Sequence, residues 1–161
     1  MDLSQLCLEY PVSELMLATN NLDERHKLGS GAYGSVYKGT MKDGTEVAIK
    51  VINLHTESGF EDEVRVLSRF RHPNLVILMG FARSGSRRFL IYELLAGGDV
   101  SKRLHNCEDI PFLWHQRVSI ALDAACGLSH LHNSAPKAFH RDIKVSIKNN
   151  FVVIRYMKFP C

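Results

Sequence analysis

The most constraining stretch of the chain runs from Gly29 to Lys50. It reads Gly29-Ser30-Gly31-Ala32-Tyr33-Gly34-Ser35-Val36-Tyr37-Lys38-Gly39, then a polar break, then Glu46-Val47-Ala48-Ile49-Lys50. Three glycines at G-x-G-x-x-G spacing let a backbone lie against phosphate oxygens with no Cβ atoms in between. Dinucleotide-binding folds use the same spacing, but they require a helix directly after the glycines, so that its N-terminus meets the pyrophosphate. Here residues 35–40 favour a strand, Lys42-Asp43-Gly44-Thr45 is a turn signal, and residues 46–52 are a second strand rich in Val and Ile. The glycines therefore fall on a β-hairpin. Strand alternation puts Ala48 and Lys50 on one face and Val47, Ile49 and Val51 on the other. A small residue beside a cation, opposite a glycine loop, suits a flat base carrying a triphosphate.

The stretches on either side extend this frame. Residues 12–21 have helical character, ending at Asn20-Asn21. The periodicity of residues 57–70 predicts a helix with Phe60, Val64 and Leu67 on one face. Glu63 falls on that face and Asp62 points away. A carboxylate on an apolar face requires a partner, because burying it alone is costly, and Lys50 is the obvious candidate. Arg71-His72-Pro73-Asn74 stops the helix at Pro73. Residues 75–82 and 88–94 read as buried strands joined by the polar loop 83–87, which completes an antiparallel sheet of about five strands with one helix. Gly97-Gly98 loosens the chain, Asp99 is a good N-cap for a short helix through Leu104, and Pro111 lies in a loop. Residues 113–132 form a long helix, with Val118, Ala121, Leu122, Ala125 and Leu128 assigned to one face.

Five motifs stand in a fixed order: G-x-G-x-x-G-x-V from Gly29, V-A-I-K ending at Lys50, H-P-N-L-V from His72, L-I-Y-E-L from Leu90 and F-H-R-D-I-K from Phe139. In this the chain resembles the eukaryotic protein kinases of serine/threonine type, from near Leu15 to Lys144. The run Glu14 to Leu22 and the tyrosine at 92 resemble the tyrosine-kinase-like group, with its plant receptor-like and interleukin-receptor-associated kinases. The resemblance implies an α+β fold. Residues 1–24 would be an N-terminal extension, 25–95 the small lobe (a five-stranded antiparallel sheet plus one helix) and hinge, 96–144 an incomplete helical large lobe, and 145–161 a divergent tail.

The resemblance also implies roles. Gly29, Gly31, Gly34, Val36, Ala48 and Lys50 would hold ATP, with Glu63 aiming Lys50 at the α- and β-phosphates. Tyr92 would back the adenine pocket, and the backbone of Glu93 to Leu95 would bond the adenine edge. Asp142 would accept the proton of a substrate hydroxyl, and Lys144 would neutralise charge on the γ-phosphate. His140 and Arg141 would be structural.

Beyond Lys144 the pattern fails. The family's loop, H-R-D-x-x-x-x-N, places a magnesium-binding asparagine five residues after the aspartate, but this chain has Ile147 there. Asn149 and Asn150 come two and three residues late. From Ile143 to Cys161 there is no Asp, Glu or Gly, so no D-F-G aspartate is present. Residues 151–159 read instead as an apolar strand flanked by lysines. Magnesium is expected for the family, but its ligands are absent here and no metal site is assigned.

Three expectations compete. The chain is an incomplete serine/threonine kinase, inactive alone for want of magnesium ligands and an activation segment. Alternatively it is a non-catalytic pseudokinase module that binds nucleotide or a partner kinase, or a fragment whose long helix exposes an apolar face.

Composition narrows the setting. The chain has 161 residues, 45% hydrophobic and 23% charged, which suits a globular domain. A net charge of +3 without clustering gives no case for nucleic acid. No apolar run reaches membrane-spanning length and the N-terminus does not read as a secretory signal, so a cytoplasmic location is expected. Four scattered cysteines (Cys7, Cys107, Cys126, Cys161) offer no C-x-x-C site, and His130 and His132, two apart on a helix, face different ways.

Overall fold

The structure, a computed structural model, describes residues 2–31, 34–53, 58–95 and 112–134. The expected short helix after Asp99, the His140–Lys144 motif, Ile147 and the strand over 151–159 lie outside the described residues. The chain divides into two compact units, residues 1–69 with 77–94 and residues 70–76 with 95–161.

The first unit is built on one sheet. Its strands are β1 (Leu8–Glu9), β2 (Lys27–Gly31), β3 (Gly34–Thr40), β4 (Glu46–Asn53), β5 (Leu78–Ser84) and β6 (Arg87–Glu93), in the order β1-β5-β6-β4-β3-β2. β2 to β6 pair antiparallel, as the motif order implies. The sixth strand, β1, was not anticipated and pairs parallel with β5. Two residues carry too little periodicity to read as a strand. The β3–β4 turn is closed by Asp43, whose Oδ1 accepts the Thr45 N–H at 2.9 Å; that bond holds its carboxyl below the usual carboxylate range.

Both faces of the sheet are covered, because β4 carries apolar residues on each. On one face Tyr37, Val47, Ile49, Val51, Phe89 and Ile91 pack around Leu15, which projects from α1 (Val12–Ala18) and is fully buried. α1 is shorter than expected. It stops at Thr19, whose buried hydroxyl donates to the Leu15 carbonyl at 2.8 Å and accepts the Leu22 N–H at 3.1 Å. Asn20, Asn21 and Leu22 then turn the chain with φ of 50°, 59° and 59°. Asparagine tolerates that region well; Leu22 is held there by the bond to Thr19.

On the opposite face Ile52, Leu78, Phe81 and Leu90 receive Phe60 and Val64 from α2 (Ser58–Leu67), with Leu67 at the margin. Of the residues expected on the inner face of that helix, Phe60 and Val64 are buried, and Glu63 and Leu67 are half-buried.

In the second unit, α3 (Trp114–Asn133) begins where the Leu113 N–H donates to Gln116 Oε1 at 3.1 Å. Its buried residues are Ile120, Gly127 and Leu131, with Phe112 packed on Ile120. This corrects the face assigned from sequence. Val118 and Leu122 are 49% and 63% exposed, Ala121 and Ala125 are also exposed, and Leu128 is half-buried. Apolar residues spread over more than half of the helix's circumference, so periodicity alone could not pick the buried stripe. Contact does: at Gly127 the missing side chain leaves room for Asn74 and Leu75, whose atoms would lie 3.0 and 3.1 Å from a Cβ there. One turn on, His130 stacks on His72 at 4.7 Å, while His132 is exposed.

Leu15→Ala should lower the free energy of unfolding by about 3 kcal/mol, since it removes a fully buried leucine from a two-sided sheet. A denaturant titration measures this. A loss below about 1 kcal/mol would mean that α1 is not part of the first unit's core.

Candidate functional site

Of the residues singled out in the sequence, Val36, Ala48, Lys50 and Tyr92 lie on the face of the sheet that α2 covers. Register explains why. Across β2, β3, β4 and β6, Gly29 pairs with Val36, Val36 with Lys50, and Lys50 with Leu90. The next row aligns Lys38, Ala48, Tyr92 and Leu78. Directly paired residues share a face, so Val36, Ala48, Lys50 and Tyr92 all point the same way.

Lys50 is the exception among its neighbours. Its side chain is 3% exposed, with Leu90 across one strand boundary and Val36 across the other. A buried ammonium requires a counter-charge. Lys50 Nζ lies 3.4 Å from Glu63 Oε1 on α2, whose side chain is 19% exposed. Thirteen residues separate the two in sequence, and α2 brings them together.

The glycine hairpin lies at the opposite side of the row. Gly31 pairs with Gly34, and Ala32 and Tyr33 between them lie outside the described residues. Gly34 has φ of 126°, and a Cβ there would overlap the Val51 carbonyl oxygen. Only glycine can hold β3 this close to β4 at that point.

At the end of β6 the chain is tied down. The Glu93 N–H donates to the Ile77 carbonyl at 3.3 Å, and Glu93 Oε1 accepts the Ile77 N–H at 2.9 Å. Sequence reasoning missed this bond: it considered only the backbone of Glu93, and nothing in the local pattern signals a partner sixteen residues away. Tyr92 is half-buried beside the cluster of Phe60 and Phe81, and Leu94 and Leu95 continue as irregular, half-buried chain. Asp142 and Lys144 lie outside the described residues.

The sequence profile described as protein tyrosine and serine/threonine kinase matches residues 22–154, and the chain belongs to that family. The match runs ten residues past Lys144 (154 against 144), farther than the motifs alone carried the resemblance.

The chain is 42% identical over 137 residues to the receptor-like protein kinase THESEUS 1 of Arabidopsis thaliana, covering 83% of this chain and 16% of that protein. It is 44% identical over 141 residues to the receptor-like serine/threonine-protein kinase ALE2 of the same plant, covering 85% and 18%. With the probable serine/threonine-protein kinase PBL28 it shares 40% over 144 residues, covering 84% and 38%. The chain thus spans well under half the length of these relatives. In fold it is similar to a solved structure of the apo GRMZM2G135359 pseudokinase, with a TM-score of 0.78 at 23% identity over 91% of this chain and 57% of that one.

The double variant Lys50→Met/Glu63→Gln should be less destabilised than the sum of its single variants, with a coupling of roughly 1–2 kcal/mol. Denaturant unfolding of the four proteins measures it. Strict additivity would show that the two side chains do not interact in solution.

Proposed function

We propose that the first unit is the ATP-binding lobe of a serine/threonine protein kinase. The observation that carries the reading is the buried Lys50–Glu63 pair, set in the row of Gly29 and Val36 and next to the row of Ala48 and Tyr92. A buried lysine with a carboxylate beside it is an aimed cation, because its ammonium cannot wander into solvent. Phosphate oxygens fit such a cation together with a glycine hairpin that presents backbone N–H groups. Ala48 leaves space for a flat base, and the backbone edge after Tyr92 suits hydrogen bonds to it.

Bound ATP would supply the phosphoryl group that kinases transfer. Lys50 would hold the α- and β-phosphates, and Asp142 and Lys144 would act on the substrate hydroxyl and the γ-phosphate, as their motif implies. Magnesium does not fit the residues after Lys144. Ile147 has no side-chain oxygen to offer, and residues 143–161 contain no Asp or Glu. We therefore assign nucleotide binding, and no phosphoryl transfer, to residues 1–161 by themselves. Ile147 also favours a second reading, a pseudokinase module that binds nucleotide or a partner kinase without transferring phosphate.

Two measurements test this. In calorimetry ATP should bind weakly, with little dependence on magnesium, and Lys50→Ala should weaken binding by roughly tenfold, the scale of one lost charge-assisted contact. Strong magnesium dependence, or no effect of Lys50→Ala, would count against the site. In a radiolabel assay residues 1–161 should transfer no phosphate to a generic serine/threonine substrate. Transfer that disappears in Asp142→Asn would overturn the assignment.

A further inference from the structure

Glu63 reaches Lys50 because α2 lies where it does, and α2 is packed from outside by chain distant in sequence. Leu3 is buried in the same cluster as Phe60 and Val64 of α2 and Phe81 and Leu90 of the sheet, with Leu6 and Cys7 at its margin. Leu3 opens a single 3-10 turn, Leu3–Gln5, in which Asp2 Oδ1 accepts the Ser4 N–H at 3.3 Å.

A few residues on, this stretch is anchored to the sheet. Leu8 pairs with Gly80 and Glu9 with Phe81, and the Tyr10 N–H donates to the Phe81 carbonyl at 2.8 Å. Arg83 donates to both carboxylate oxygens of Glu9, at 2.9 and 3.0 Å. Phe81 is common to both ends: its backbone carries the anchor, and its ring meets Phe60 of α2 edge-on at 6.0 Å. Gly80 is what admits the anchor. A Cβ there would overlap the Leu8 carbonyl oxygen and stand 2.6 Å from the Tyr10 ring.

We infer that residues 2–10 are a strap that sets the position of α2, with Leu3 as the positioning residue, and so govern how well Glu63 holds Lys50. Its effect on affinity rests on the nucleotide-binding reading; its effect on the Lys50–Glu63 coupling does not. Displacing the strap, by a competing partner or a change in residues 2–10, would loosen α2 and lower nucleotide affinity without touching the site itself.

The test uses the full 161-residue chain, Leu3→Ala, Leu3→Met and Gly80→Ala, with Lys50→Met as a control. Gly80→Ala alters no member of the cluster and only wedges the strap away, so it decides the matter if Leu3→Ala fails to fold. Two quantities are read: affinity for a fluorescent ATP analogue, and the Lys50–Glu63 coupling from double-mutant cycles. Leu3→Ala and Gly80→Ala are each expected to weaken the analogue roughly threefold to tenfold and to shrink the coupling, while Leu3→Met restores most of both. Unchanged coupling in Leu3→Ala and Gly80→Ala would overturn the strap. An unchanged analogue affinity in Lys50→Met would instead overturn the nucleotide reading, and the coupling would still decide the strap.

Discussion

The charge on Lys50 is the constraint around which the first unit is arranged. An ammonium buried between Val36 and Leu90 would cost several kcal/mol if left without a counter-charge. Glu63 provides one at 3.4 Å, which obliges α2 to lie over this part of the sheet. The apolar residues of α2 satisfy the same demand independently, since Phe60 and Val64 pack on Ile52, Phe81 and Leu90. Ion pair and apolar cluster thus select the same placement of the helix, and each is weaker without the other. A pair held in this way orients a cation, which is what a phosphate site requires.

Residues 2–22 contribute to both cores of the sheet, Leu15 to one and Leu3 to the other. Val47, Ile49 and Val51 leave β4 on the side away from α2, and without α1 their apolar area would meet water. Leu15 closes that face. The preceding residues cross the edge of β5 and reach α2 through Leu3. One short N-terminal stretch therefore touches both cores of the unit, which explains how a segment outside the motif-bearing region can influence them.

Local pattern made much of this legible. Alternation placed Ala48 and Lys50 on one face of β4, the turn residues around Gly44 set the β3–β4 hairpin, and the 3.6-residue period put Glu63 beside Phe60 and Val64. Strand ends were less legible. β5 begins at Leu78 rather than 75, because Leu75 is taken up at Gly127 in the second unit and Ile77 is bonded to Glu93. The α3 face was misassigned because leucine, valine and alanine spread over more than half of that helix's circumference; among the described residues, the contacts of Gly127 with Asn74 and Leu75 and of Ile120 with Phe112 mark the buried side.

By itself, then, the sequence determined the family, the glycine hairpin, and Lys50 with the glutamate that meets it, because each depends on residue types at short, fixed spacings that backbone geometry turns directly into faces and turns. It also put Ile147 five residues after Asp142, where the family's loop motif has asparagine. Only the tertiary structure decided that β1 adds a parallel strand, that Leu3 and Leu15 cover opposite faces of one sheet, that Glu93 is bonded to Ile77, and that α3 turns Gly127 inward. Each of these is a contact between segments far apart in the chain. Such contacts are settled by which surfaces can approach closely enough to exclude water, and no local period encodes that.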